Sequence, residues 1–183
     1  ILEAMVTAGG GRFKGVRNIS AWHKDPDARG SSANPPPDVL TNPAFLDGLK
    51  LHARMGLVFD AFMYHTQLSE IAAVARAVPE ATIVLNHLGA PIVQGPYGDR
   101  DATLARWRAS MNEVATCPNV VLKVGGIGMP MFGTSWFQQD EPPTPDVVAA
   151  NWGDEVRFCI DTFGPDRCMF ESNFSVDRIS MTY

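Results

Sequence analysis

His87 closes the run TIVLNH and is followed at once by Leu-Gly. An imidazole at the carboxyl end of an apolar run is placed to bind a metal, polarise a carbonyl or move a proton. The competing assignment is a core histidine bonded to a backbone carbonyl. His65 ends the preceding run, LVFDAFMYH, beside Tyr64. Two histidines on successive strand ends would share one centre, or His65 would only cap the helix that follows. In the last run, CMFESNFSVD, strand alternation puts Glu171 and Asn173 on one face, with Asp177 beyond them at the rim. An acid inside a packed sheet costs free energy unless it is paired or working. Arg17 (GVR) and Lys123 (LKV) lie mid-run. Facing inward, either would offset Glu171 or hold a substrate carboxylate; facing outward, both are solvated charges. His52, between Leu51 and Arg54 in a helical stretch, reads as a surface residue, and His23 in AWHKDPDARG has no evident partner.

Five short apolar runs must position these groups: residues 15–20 (GVRNIS), 57–64 (LVFDAFMY), 82–87 (TIVLNH), 120–124 (VVLKV) and 167–172 (RCMFES). Near-continuous Val, Ile, Leu, Phe and Met is the pattern of strands buried on both faces in a parallel sheet. Helical periodicity lies between them, at residues 43–55, 69–77, 102–115 and 147–163, with Ser69 as the expected N-cap of the second. Strand, helix, strand without a break is the βαβ signature. The helix-to-strand turns are short, whereas residues 21–42, 87–101 and 125–146 are long strand-to-helix connections. Irregular loops beyond about 12–15 residues usually have a functional reason. All three fall at the carboxyl ends of the strands, where barrels and open parallel sheets place their sites. The GGIG at residues 125–128 follows a strand but lacks the G-x-G-x-x-G spacing and opens no helix. It reads as a mobile loop over a site, not a dinucleotide turn.

Composition narrows the class. Of 183 residues, 45% are hydrophobic and 19% charged, enough for a packed core and unlike a disordered chain. A net charge of −5 disfavours nucleic acid as a partner. No stretch approaches the ~20 apolar residues of a membrane helix. Three cysteines without C-x-x-C spacing favour reduced, buried thiols and a cytoplasmic protein. The opening ILEAMVTAGG reads as the end of a helix at its glycine stop, and the final SVDRISMTY follows a strand-like run with no closing helix. Both ends read as cut, so the chain is expected to be a fragment.

The segments LVFDAFMYHTQLSEIAAVARAVPEATIVLNHLGAPI, NVVLKVGGIGMP and FGPDRCMFESNFSVD resemble the amidohydrolase-related group of the amidohydrolase superfamily. These metal-dependent-hydrolase-like proteins include sugar-acid lactonases and the lactonase acting on 2-pyrone-4,6-dicarboxylate. The likeness runs from GGGRFKGVR to the end. It implies an α/β fold, a (β/α)8 TIM barrel of which residues 1–183 form a single partial domain covering roughly strands four to eight. Family members carry an H-x-H pair on strand one, further groups on strands five and six, and an acid at the end of strand eight. By this resemblance His87 takes the strand-six position, His65 the strand-five position, and Asn173 stands where the aspartate is usual. The chain has no H-x-H, so that pair would lie in strands it does not contain. Asn173 cannot ionise, which leaves Glu171 or Asp177 to activate water, or Asn173 to orient it. Ser175 replaces the proline expected in F-P-V-D.

The resemblance implies a hydrolase of a lactone or other carboxylic ester, with His87, Glu171, Asn173 and Asp177 as catalytic candidates. Arg17, Tyr64, His65 and Lys123 are the substrate-binding candidates. It leaves the cofactor open between a divalent metal such as zinc in the intact protein, with His87 the first candidate ligand and His65 the second, and none. The partner is a small-molecule substrate, with a homo-oligomer open. A decarboxylase of the same superfamily and a non-catalytic ligand-binding barrel that has lost its aspartate are the alternatives. A barrel lacking three strands exposes two sheet edges and some of its interior. The chain by itself is therefore expected to be poorly soluble or inactive; a soluble, monomeric, cooperative melt would count against this.

Overall fold

The computed structural model describes residues 1–31 and 33–182. Its order is α1 (Leu2–Gly9), β1 (Gly15–Ile19), α2 (Pro43–Arg54), β2 (Val58–Phe62) and α3 (Leu68–Ala77). Then follow β3 (Ile83–Leu85), α4 (Arg100–Ala115), β4 (Val120–Val124), α5 (Pro145–Phe163) and β5 (Cys168–Phe170). The strands form one sheet in sequence order, β1-β2-β3-β4-β5, and every neighbouring pair is parallel. All five expected strands and four expected helices form. Strand β3 stops at Leu85 because His87, two residues on, has φ 53 and leaves extended geometry.

Helix starts follow local chemistry. Asn42, Asp99 and Thr144 each accept a first-turn N–H with the side chain, and Pro43 and Pro145 occupy first helical positions. Helix α3 departs from expectation. Ser69 lies inside it, and a 3-10 turn, His65–Gln67, leads straight in with Gln67 at the cap position. The Gln67 amide is engaged elsewhere: it accepts from Trp22 N–H at 3.0 Å and donates to the Ser20 carbonyl at 3.0 Å, fastening the loop after β1.

The two sheet faces differ. Phe59, Ala61, Ile83, Leu85, Val120 and Leu122 point outward and are buried against Ile71, Leu104, Trp107 and Met111 of the helices. Fully burying such side chains is worth about 1.5–3 kcal/mol each, so this face carries the fold. The inner face is polar and partly open, with Arg17, Asp60, Val84, Lys123 and Met169 lining a concavity of about 510 Å³. On the last strand Phe170 is 83% exposed. His52, expected at the surface, is buried where α2 meets the sheet, and burial lowers its pKa. The cysteines are free thiols, with Cys117 and Cys159 buried and Cys168 half-buried; burial pushes the Cys159 and Cys168 thiols up. No helix among the described residues is long and apolar enough to cross a membrane.

The three long connections interlock above the strand ends. Val93 N–H donates to the Met131 carbonyl at 2.7 Å, and Gln94 donates to the Asp27 and Arg29 carbonyls. Ala28, Leu40, Ile92, Met131 and Phe132 are buried within this layer. At the opposite end Arg167 reaches four carbonyls, those of Ala115, Cys117, Val120 and Phe163, and so ties the ends of α4 and α5 to β4. Replacing Arg167 with Met would strand these half-buried carbonyls. We expect a loss of about 2–3 kcal/mol, read by urea denaturation.

Candidate active site

Strands β3 and β5 flank β4, and their ends are joined across it. One Glu171 carboxylate oxygen accepts from the His87 backbone N–H at 3.1 Å and meets the His87 ring Nδ1 at 2.5 Å. A carboxylate accepts only, so Nδ1 carries a proton, and in the neutral ring Nε2 presents a lone pair. His87 is 4% exposed, with its ring edge-on to Phe62 at 5.2 Å between centroids.

The backbone at His87 is unusual. His87, Leu88, Gly89 and Ala90 all have positive φ, between 45° and 66°. Left-handed geometry costs a non-glycine residue about 1–2 kcal/mol, so three such residues persist only where the surroundings over-determine them. Trp107 Nε1–H donates to the Leu88 carbonyl at 2.8 Å, and His65 N–H donates to the Ala90 carbonyl at 3.1 Å. The His65 Nδ1 accepts from Ile92 N–H at 3.1 Å.

The GGIG segment is a packed floor for this pair, correcting its expected role as a mobile cover. A Cβ at Gly125 would collide with the Glu171 carbonyl, and one at Gly126 would lie 2.5 Å from His87 Nδ1. At Gly128 it would lie 3.0 Å from the Asp177 side chain. Each ionisable group of the site thus leans on one glycine.

Asn173 and Asp177 form the adjoining turn. Beyond Phe170 strand alternation ends; Asn173 has φ 48 and the Phe174–Ser175 peptide bond is cis. Asn173 donates to Asp177 Oδ1 at 2.7 Å, and Gly128 N–H donates to Asp177 Oδ2 at 3.2 Å. Asp177 is 1% exposed, and burial raises its pKa despite these bonds. With both oxygens engaged, it fastens the turn to the glycine loop.

Below His87 lies a layer of charge. Lys123 donates to Asp60 Oδ2 at 2.9 Å and to Asn86 Oδ1 at 3.2 Å. Arg17 pairs with Asp60 through Nε at 3.5 Å and donates through Nη2 to Asn86. Asn86 donates to Asp60 as well. Both cations therefore face inward. Two cations against one carboxylate leave a surplus positive charge open to the concavity. Asp60 and Asn86 escaped the sequence reading. An acid in the middle of the apolar run LVFDAFMY was the available signal for Asp60; Asn86 had none beyond its place beside His87.

Two expected residues stand elsewhere. Tyr64 is fully buried, its hydroxyl accepting from the Gly30 and Ser31 N–H groups at 3.0 and 3.2 Å. It holds the first long loop and touches no open space. His65 is turned to Tyr97, with ring centroids 5.0 Å apart, rather than towards His87. His23 finds a partner in the Tyr97 hydroxyl at 2.9 Å. Among the described residues no three His, Cys, Asp or Glu side chains converge as a metal would need. Among the described residues His87 Nδ1 is held by a carboxylate and Nε2 has no partner, which fits a single metal ligand with its supporting acid.

A family model described as Amidohydrolase matches residues 1–178, and the chain belongs to that family. It is 34% identical over 171 residues to the protein y4mH of Sinorhizobium fredii, covering 93% of this chain and 50% of that one. It is 28% identical over 138 residues to an L-fucono-1,5-lactonase of Burkholderia multivorans, covering 69% of this chain and 40% of the enzyme. The chain thus spans about half or less of the curated relatives it matches. A zinc-bound crystal structure of an amidohydrolase from Burkholderia multivorans superposes with a TM-score of 0.75 at 24% identity, over 99% of this chain and 57% of that one. The five-stranded sheet is accordingly an arc of the amidohydrolase barrel.

Gly126 carries both a φ of 76° and the approach of the His87 ring, whereas Gly56 has a φ of 67° and open space around it. Both glycine-to-alanine changes carry the backbone cost, but Gly126→Ala also overpacks. We expect it to lose about 1–3 kcal/mol more than Gly56→Ala in denaturant titrations. Equal losses would show that the ring does not need that space.

Proposed function

We propose that the protein is a lactone hydrolase working at the carboxyl ends of these strands. The carrying observation is His87, held by Glu171 with Nε2 unpartnered among the described residues, next in the chain to Asn86 of the cationic Arg17–Asp60–Asn86–Lys123 layer. The similarity to an L-fucono-1,5-lactonase supports the same class of substrate, the cyclic ester of a sugar acid.

In this reading Glu171 fixes the imidazole tautomer and steadies the imidazolium that forms when Nε2 takes a proton from the attacking water. The water oxygen bonds to the carbonyl carbon. The ring C–O bond then breaks, and the proton returns from Nε2 to the departing alkoxide, giving a hydroxy acid. Lys123 and Arg17 stabilise the negative carbonyl oxygen of the transition state and the carboxylate created by hydrolysis. Asn173 and Asp177 brace the turn that carries Glu171. A divalent ion such as zinc, when bound, would polarise the carbonyl. Nε2 of His87 is the nitrogen this chain offers it; an ion held there would occupy that lone pair, so Nε2 serves either as the base above or as a ligand, with the ion's remaining ligands from outside the described residues.

A panel of 1,5- and γ-lactones of sugar acids, run beside carboxylated aromatics and with and without chelator, tests the proposal in the full-length protein. We expect lactone consumption with release of the hydroxy acid, and a fall of about 100-fold or more in kcat for His87→Asn. Lys123→Met should weaken activity with both KM and kcat affected. Release of carbon dioxide from the aromatics with the lactones untouched would replace the proposal with the decarboxylase. Tight lactone binding without turnover would replace it with the ligand-binding barrel.

A further inference from the structure

Away from the barrel interior, a pocket of about 310 Å³ lies between α3, α4 and the turns that precede them. Its lining is His65, Thr66, Ser69, Tyr97, Arg106 and Ser110. Every one of these can donate a hydrogen bond, and none is acidic. Arg106 and Ser110 are one helical turn apart on α4 and face the same way. Arg106 is exposed and forms no ion pair or hydrogen bond among the described residues, whereas Arg76, Arg100, Arg108 and Arg157 all have carboxylate partners.

His65 supplies the second, independent observation. It is only 6% exposed, and its Nδ1 is committed as acceptor to the Ile92 N–H. That bond leaves the neutral ring a single tautomer, with the proton on Nε2. Nε2–H has no acceptor among the described residues and belongs to a ring that lines the pocket. Opening on the pocket, this donor is available to an anion there. Helix α3, whose first turn has no side-chain cap, begins at the same place. Glu70 of that turn is not among the lining residues.

We propose that this pocket is a binding site for a phosphate group, held by the Arg106 guanidinium, the Nε2–H of His65 and the hydroxyls of Ser69 and Ser110. Phosphate fits better than carboxylate because the lining donors come from two helices and two turns, suiting an acceptor with several oxygens. The proposal concerns a separate pocket: no side chain lining it bonds to His87, Glu171 or the Lys123 layer among the described residues, and the one link is the His65 backbone N–H on the Ala90 carbonyl.

The electrostatics give a specific readout. Burial, then the charges of Arg106 and His23, lower the His65 pKa to about 4, so the ring is neutral near pH 7. A bound dianion favours the protonated ring, and by linkage the His65 pKa must rise on binding.

The test titrates the purified protein with inorganic phosphate, methyl phosphate and acetate while following the His65 ring by NMR, with calorimetry in parallel. We expect saturable binding, an upward shift of the His65 pKa, and weakening of about tenfold or more in Arg106→Gln and less in Ser110→Ala. Arg157→Gln, which alters an exposed pair with Asp154 elsewhere on the surface, should bind as the parent does. Methyl phosphate binding as well as phosphate would mark a site for a phosphate ester; its exclusion would mark one for the free ion. Either supports the site. No saturable response at His65, unchanged affinity in Arg106→Gln, or acetate binding as tightly as phosphate would overturn it.

Discussion

The carboxylate of Glu171 holds His87 by both its backbone N–H and its ring, and the rest of the site is arranged around that double contact. The two residues come from β3 and β5, so their meeting spans β4 and the chain that leaves it. That chain must run beneath the pair with no side chain in the way, which is why Gly125 and Gly126 stand there. The contact also decides chemistry. By claiming the Nδ1 proton it leaves the lone pair of Nε2 in the neutral ring available as a base or a ligand.

Bringing His87 to that position requires a turn that no propensity favours. His87, Leu88, Gly89 and Ala90 all adopt left-handed geometry, and the cost is met by bonds from the helical layer. Trp107 on α4 and His65 ahead of α3 supply them, so helices on the outside of the sheet hold a strand end on its inside. Asp60 has the equivalent role in the charged layer beneath. It keeps two cations close together on the inner face while leaving some of their charge uncompensated.

Some groups with chemical potential have their oxygens engaged within the fold. Asp177 and Tyr64 are polar, near the strand ends and plausible as reacting groups from their neighbours in the chain, yet both are buried with their oxygens engaged by backbone N–H groups or Asn173. Their position along the strand told nothing of which way the connecting loops would fold over them. His65 illustrates the same point from the other side: its ring turned outward to a pocket between helices, away from the strand-end centre it was expected to share.

Hydrophobic periodicity by itself determined the strands, the helices, their parallel order and the end of the sheet where the long loops gather, because burial of apolar faces is read one residue at a time along the chain. His87 and Glu171 were legible for a related reason: a polar group at the end of a buried run is conspicuous. The pairing of Glu171 with His87, the use of Asp60 and Asn86 as the hinge of the charged layer, and the burial of Tyr64, His52 and Asp177 were decided only in three dimensions. Each depends on contacts between residues distant in the chain, as Asp60 is from Asn86 and His87 from Glu171, or on the course of an irregular loop, and neither leaves a local pattern in the sequence.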